Sequence, residues 1–452
     1  MKTHLFLSVF LGVTLALLLM AVVAAPSAGH VKAPAAELHA CSTGCIYSSV
    51  QAAVDAASDG DVIKVAAGTY TDIHVRPRND ITTTGLVTQV VYISKTVTIQ
   101  GGYTTTNWTT PDPQANLTTL DAQRQGRVIY ITGDIQPTIE GFRITGGEAQ
   151  GLGGLPWGED TGGGLYIITA TAVIRDNHVF SNTCSSTLSR GGGMSLWSSD
   201  ATLSGNSFIL NSAGDGGGGL YWGSGVGGAT INGNNFISNS SQYGGGAVWL
   251  ATSGMFSGNI VTSNKADIGG GVVSEIGTET WINNIIVDNQ ASSAGGGVWI
   301  RGSSPRLLHN TIARNSSGDG SGVYITQCDW CWWDAHSNVA LTNTILVDHS
   351  VGISVTGGNT VTVNGVLWYD TPITVSQSIT AVVTVHNQHK GDPAFAADGY
   401  HLMAGSAAID MGINAGITSD IDGELRPAGS GYDLGADELW HNVYLPLIIR
   451  NY

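Results

Sequence analysis

Hydrophobic positions in this chain recur on two scales. Within short stretches they alternate with polar ones, the period of a β-strand with one buried face. Across longer stretches the whole alternating unit returns. Glycine triplets start at Gly162, Gly191, Gly217 (the last three of four glycines), Gly244, Gly269 and Gly295, with a looser copy from Gly320, at spacings of 29, 26, 27, 25, 26 and 25 residues. After each run come a short apolar stretch and then apolar-x-x-Asn-x-apolar-x-x-Asn. The two asparagines, or Asn then Asp in the last copy, fall at 177/182, 206/211, 234/239, 259/264, 284/289, 310/315 and 343/348. A fixed period near 26 with strand alternation inside it predicts an all-β solenoid. From about Val62 to Phe395 there is room for roughly 13 coils, a rod on the order of 60 Å long at the spacing of a sheet.

A position that recurs once per coil forms a column along such a rod. Asn177, Asn206, Asn234, Asn259, Asn284, Asn310 and Asn343 are therefore expected to stack as a structural ladder. Each amide would donate to the next and satisfy carbonyls at a corner. Glycine and asparagine also tolerate the left-handed conformations that corners need.

The strand after each glycine run carries candidate chemistry. If the third and fifth positions after the run's first glycine are buried, the inward pairs are Leu165/Ile167, Met194/Leu196, Leu220/Trp222, Ala247/Trp249, Val298/Ile300 and Val323/Ile325. The fourth column then faces out and reads Tyr166, Ser195, Tyr221, Val248, Val273, Trp299, Tyr324, with Trp197 and Arg301 in the sixth. An outward aromatic stripe of Tyr166, Trp197, Tyr221, Trp299 and Tyr324, with Arg301, could stack sugar rings. The alternatives are that loops cover the stripe, or that the phase is off by one. Glu275 one coil before Arg301 predicts an ion pair between neighbouring coils. Asp160, Asp215, Asp267 and Asp319 precede glycine runs in every second coil, roughly 10 Å apart, too far for one calcium site, and read as turn caps.

At the N-terminal end, Leu5 to about Ala25 is an apolar run behind Met1-Lys2. It reads as a secretory signal peptide over 1–25, with an uncleaved anchor as the alternative. Residues 26–40 form an Ala/Pro-rich leader. Ile46, Val50, Ala53, Val54 and Ala57 have helical spacing, and a helix there would cap the first coil. No transmembrane span is expected in the mature chain. Five cysteines follow the signal. Cys41/Cys45 and Cys328/Cys331 are candidate local disulfides in an exported protein, which leaves Cys184 odd. Zinc ligation by two distant pairs and a lipoprotein box ending at Cys41 are weaker fits. The loop Cys328-Asp329-Trp330-Cys331-Trp332-Trp333 is either a hydrophobic lid or a contact surface.

Composition narrows the function classes. The formal charge is −16, with 12 % charged residues. That balance excludes nucleic acid as a partner. Near the C-terminus Asp420, Asp422, Asp433, Asp437 and Glu438 form an acidic cluster without EF-hand spacing, so no cofactor is assigned and calcium stays the alternative. The last residues, 441–452, form a short apolar tail.

Several motifs carry a family resemblance. Ser49-Val50-Gln51-Ala52-Ala53-Val54-Asp55-Ala56-Ala57, then Gly60-Asp61-Val62-Ile63 and Gly68-Thr69-Tyr70, resembles the opening of bacterial right-handed parallel β-helix proteins of the pectate-lyase-like group. Ile139-Glu140-Gly141-Phe142-Arg143-Ile144-Thr145-Gly146-Gly147 and the Gly/Asn repeats resemble their polymorphic outer-membrane-protein-like versions. Gly391-Asp392-Pro393, Gly405-Ser406-Ala407-Ala408-Ile409-Asp410, Asp420-Ile421-Asp422-Gly423, Arg426-Pro427 and Asp433-Leu434-Gly435-Ala436-Asp437-Glu438 resemble a choice-of-anchor ending. The resemblance implies a right-handed single-stranded parallel β-helix over 41–395, an anchor-like segment over 396–440, and a secreted or cell-surface location. It does not imply an activity, because this fold carries lyases, hydrolases and non-enzymatic adhesins alike.

Three readings follow. The first is a non-catalytic adhesin or scaffold whose partner is a cell-surface protein. The second is a polysaccharide-binding protein using the stripe. The third, a polysaccharide lyase or glycoside hydrolase, has least support, since no Asp-Asp pair, Gly-His-Gly or Arg-x-Lys element is present and the arginines of 162–350 share no column. No catalytic or metal-ligating residue is assigned. The nearest constellation is Trp299, Arg301, Glu275 and His309.

Overall fold

The computed structural model describes residues 35–78, 85–223, 228–329, 331 and 335–440. The signal segment, most of the leader, Trp330, Trp332, Trp333 and the tail 441–452 lie outside the described residues. The unit that begins at Ala36 is a parallel β-solenoid of about 13 turns. One face is a 12-stranded sheet, sheet I, which includes Leu165–Ile168, Met194–Trp197, Leu220–Gly223, Val248–Ala251, Val272–Glu275 and Val298–Arg301. The strands that follow these in each coil join a 22-stranded sheet II, and a 5-stranded sheet III closes the corner before the glycine runs. Among the described strands, all pair in parallel except His74–Pro77, which lies antiparallel to Leu86–Ile93.

A helix, α1 (Val50–Ala56), covers the first coil and buries Val50, Ala53 and Val54. Ser49 caps it by accepting from the Ala52 N–H at 3.1 Å. Lys95 Nζ donates to the carbonyls of Val54, Asp55 and Ala57, a cation at the negative end of the helix. Ile46 lies ahead of the helix and is exposed. The strand Glu37–Ala40 pairs with Val62–Ala66, so the first coil starts inside the stretch read as leader. Cys41 is bonded to Cys45 and Cys328 to Cys331; Cys184 is free, and burial pushes its thiol up to about 12.

Two asparagine columns hold the coils in register. In the first, Asn177 Nδ2 donates to Asn206 Oδ1 at 3.1 Å, and the Asn177 N–H donates to the same oxygen at 3.0 Å. The pattern repeats through Asn234, Asn259, Asn284 and Asn310. Each amide also donates backwards to a carbonyl of the preceding coil, as Asn206 does to Ile174 at 2.8 Å. One side chain therefore ties three coils. The second column runs Asn182, Asn211, Asn239, Asn264, Asn289, Asn315 in the same way.

Close approach of the next coil's backbone, and of this second column, explains the glycine runs: a Cβ on Gly193 would meet the Gly219 carbonyl oxygen at 2.5 Å. A Cβ on Gly193 would sit 3.0 Å from the Asn211 amide, and one on Gly219 3.2 Å from that of Asn239. The glycine that opens each corner, such as Gly191 at φ 64° and Gly245 at φ 60°, takes the left-handed turn that sends the chain into sheet I. Asparagine ladder and glycine run are one device seen from two sides.

Asn343 corrects the seventh rung. Leu308 pairs with Thr342 and Thr311 with Ile345, which sets Asn343 beside His309 and Thr344 beside Asn310. Asn343 Nδ2 contacts His309 Nε2 at 2.9 Å and donates to the Ile413 carbonyl, outside the column. The second column ends at His349, one residue past Asp348, whose Nε2 accepts from the Asn315 N–H at 3.3 Å. A neutral imidazole nitrogen replaces the amide oxygen there.

Residues 391–440 leave the last strand, Val382–Lys390, and double back over the outer face of sheet II. Leu402, Ala408, Leu434 and Ala436 pack on Ile285, Val287, Ala313, Ile345 and Leu367. Asn283 Nδ2 donates to the Ser419 carbonyl at 2.7 Å, and a buried Arg426–Glu438 pair at 2.8 Å sits inside the segment.

Two predictions follow from the ladder. Asn239→Ala strands the two donors of Asn211 and the Phe208 carbonyl, and should cost about 2–4 kcal/mol in urea unfolding. Exposed Asn232→Ala should cost under about 0.5 kcal/mol. Burial holds His309 and His349 down at about 3 against an ordinary 6.5. Below pH 6.5 the unfolded chain takes up protons that the folded chain refuses, so this stability is lost as pH falls from 6.5 towards 3. His349→Asn, which extends the column, should lose less stability than the native chain between pH 7 and pH 4.5.

Candidate functional site

Sheet I positions the outward column through its register. Tyr92, Tyr130 and Tyr166 align, followed by Ser195, Tyr221, Trp249, Val273, Trp299 and Tyr324. The outward column is thus longer and more aromatic than the sequence reading has it. In the coil of Gly244 the phase is one residue later: Val248 and Leu250 point into the core, and Trp249 points out. Gly244 stacks on Gly216 and Gly245 on Gly217, so the corner there is Gly245-Gly246-Ala247.

The column is not an open stripe. Tyr166 is fully buried under the 148–160 loop, and its hydroxyl donates to the Gly154 carbonyl at 2.6 Å. Tyr221 and Trp249 are 3 % exposed, Trp197 and Trp299 9 %. These rings form a second apolar core outside the solenoid, with Leu155 and Ile268 packed among them. Tyr324 is partly buried against Trp299, with ring centroids 6.3 Å apart. Coverage by a loop, one of the two alternatives above, holds for Tyr166 and Trp197, whereas Tyr221, Trp249 and Trp299 are covered by arginine side chains and neighbouring rings.

One part stays open. Trp157, Arg190, Trp197, Asp215, Tyr221, Tyr243, Trp249, Glu275 and Arg301 line a cleft of about 480 Å³ over the middle coils. Trp157, 69 % exposed, meets the Trp197 ring edge-on at 5.6 Å and forms one wall. Tyr243, 37 % exposed, packs against Trp249 and Trp299 and forms another. Two arginines sit over the Trp249 ring, each guanidinium 5.8 Å from its centroid. Arg190 Nε donates to Asp215 at 2.8 Å and its NH1 to the Tyr221 hydroxyl at 3.1 Å. Arg301 Nε donates to Glu275 at 2.7 Å and its NH1 to the Tyr243 hydroxyl at 3.3 Å. Glu275 also accepts from the Trp249 indole at 3.2 Å. The Glu275–Arg301 pair joins facing positions of adjacent strands as expected, but with Glu275 only 5 % exposed it is a buried pair rather than a surface one.

Of the proposed sugar-contacting residues, the cleft gathers Trp197, Tyr221 and Arg301 and leaves Tyr166, Trp299 and Tyr324 outside. His309 lies on another sheet, beside Asn343 and under Tyr432, so it does not join Glu275 and Arg301. Sequence reasoning missed Trp157, Arg190, Tyr243 and Trp249. The phase of Trp249 was not fixed by counting: the inward residue stands nine places after the ladder asparagine in Asn211/Leu220 and Asn289/Val298 but eight in Asn264/Val272 and Asn315/Val323. Trp157 comes from a loop that carries no repeat signal, and Tyr243 takes the corner position just before a glycine run that Asp215 and Asp267 hold in the neighbouring coils.

In the C-terminal segment, ligand atoms of His401, Asp422 and Asp437 lie within 4.8 Å of one another, the one such group among the described residues. His401 already bridges Asp398 and Asp422 at 2.6 Å each; burial lowers its pKa, the carboxylates outweigh that, and it stands at about 9. The other acids have internal roles: Asp420 accepts from the Asp422 and Glu424 N–H groups, and Glu438 holds Arg426.

Residues 118–306 match the family model for a right handed beta helix region. The fold is a right-handed parallel β-helix. Among solved structures, the β-helix is similar to the pectate lyase Pel9A, at 14 % identity and a TM-score of 0.33 over 90 % of this chain and 96 % of that one. It is also similar to the family 28 exopolygalacturonase of Yersinia enterocolitica, at 12 % identity and a TM-score of 0.41 over 78 % of each chain. An exopolygalacturonase of Thermotoga maritima gives 10 % identity and a TM-score of 0.36 over 74 % of this chain and 80 % of that one. No curated protein sequence matches the chain. At such identities and scores the likeness carries no chemistry across to this β-helix.

The two exposed-or-buried classes of ring separate by mutation. Trp299→Ala empties a packed site and should cost about 3–5 kcal/mol in thermal or urea unfolding. Trp157→Ala, on the open wall of the cleft, should leave the melting curve within about 0.5 kcal/mol of native.

Proposed function

We propose that this β-helix is an extracellular, non-catalytic binding rod that holds polysaccharide in the cleft between Trp157 and Tyr243. The observation that supports this most directly is two partly exposed aromatic walls above a floor of ion-paired side chains. Aromatic faces stack on the C–H faces of sugar rings, and nearby polar groups take up hydroxyls. A binding rather than a catalytic role is favoured because both cleft carboxylates on sheet I and its corner, Asp215 and Glu275, are engaged by arginine. A hydrolase needs one of a carboxylate pair as a proton donor, and a lyase needs an unengaged cation for the uronate.

Export fits two local disulfides and the N-terminal apolar run. The 396–440 segment, read as an anchor-type ending, would then hold the rod at a cell surface. An adhesin or scaffold with a protein partner is the second reading, favoured by the buried state of most of the aromatic column.

The test is retention of the mature chain on a polysaccharide panel, with and without calcium, read together with new unsaturated or reducing ends. Retention without turnover is expected. Turnover would replace the binding rod with an enzyme, and an absence of both would leave the scaffold reading.

A further inference from the structure

The cleft's charges say more about its ligand than its aromatic walls do. Two guanidiniums, Arg190 and Arg301, face two carboxylates of the lining, Asp215 and Glu275. Arg190 donates to Asp215 and to the Tyr221 hydroxyl, and Glu159, outside the lining, lies 3.6 Å from the same guanidinium as an ion-pair neighbour. Arg301 spends its donors on both sides, gripping Glu275 with two nitrogens and reaching Tyr243 with a third. An incoming uronate or sulfate would have to compete with one of these partly buried pairs and would meet a lining whose two positive and two negative charges already balance. Breaking a buried pair leaves a charge without compensation, a heavy penalty in a site this sheltered.

The rest of the lining is apolar or aromatic: Trp157, Trp197, Ala251 and Ile276 beside the tyrosines. Such a surface rewards a ligand with extended C–H faces and no charge. Hydroxyls on that ligand can donate to the outer lone pairs of Asp215 and can exchange with the Tyr243 hydroxyl, neither of which needs a pair to open.

From this balance we infer that the cleft takes neutral polysaccharide, a chain of uncharged hexose or pentose units, and rejects acidic ones. The inference rests on the reading of the cleft as a polysaccharide site and adds its specificity. Electroneutral recognition also makes binding insensitive to salt, unlike capture of a polyanion by arginine.

The experiment is affinity electrophoresis of the full mature chain and of Trp157→Ala, in gels holding neutral polymers (a β-glucan, a xylan, a galactomannan) or acidic ones (polygalacturonate, alginate), at low and high salt. The expected result is retardation by at least one neutral polymer, unchanged by salt and weakened about tenfold by Trp157→Ala, with no retardation by acidic ones. Retardation by acidic polymers that depends on Trp157 and fades with salt would overturn the neutral specificity while keeping the cleft as the site. Retardation that ignores Trp157→Ala would put the ligand elsewhere on the rod, and no retardation by any polymer would remove the polysaccharide reading itself.

Discussion

Every other feature of this molecule depends on the amide ladder staying in register. A parallel β-helix buries its corners, and each corner exposes backbone donors and acceptors that no neighbouring strand can satisfy. Here a single asparagine oxygen accepts two N–H groups from the coil before it, and the same side chain's amide donates both forwards and backwards. Two such columns pin two corners of each coil. With both pinned, sheet I repeats its register from Leu165 to Arg301 and sets one outward side chain above the next.

The cleft is a consequence of that stacking and of two departures from it. Outward aromatics at every coil would form an unbroken wall, but Ser195 and Val273 interrupt the column and make room for arginines to fold over Trp249. The loop that carries Trp157 and the corner that carries Tyr243 supply the two aromatic walls. The charged residues reach the floor from corner positions, Arg190 and Asp215 just before their glycine runs, and from strand ends, Glu275 and Arg301. Most of the aromatic surface was buried by the same loop, arginines and rings that built the cleft.

The solenoid could be read from the chain because its physics is periodic. Glycine, asparagine and alternating apolar residues each return for a reason tied to one coil position, and those reasons act without tertiary help. The ladder from Asn177 to Asn310 was visible for that cause. Where the period broke, the reading slipped: an insertion before Asn343 moved it one place off the column, and Ala247 in place of a glycine hid the true phase of Trp249. Whether the outward column was exposed could not be read, since Leu155 covers it from a loop with no repeat of its own and Ile268 from a corner position that is not apolar in every coil. Arg190 was legible only as an arginine; its seat between Asp215 and Tyr221 depends on a neighbouring coil 25 residues away.

The route of the C-terminal segment has a mechanical meaning. After the last strand at Lys390 the chain turns back along the rod and ties itself to Asn343, Thr311 and Asn283, which belong to successively earlier coils. Tension applied near Leu439 therefore enters the rod several coils before its end, across a packed face of Leu402, Ala408, Leu434 and Ala436. Load is shared in shear by many contacts at once, where a pull on Lys390 itself would peel the final strand one hydrogen bond at a time.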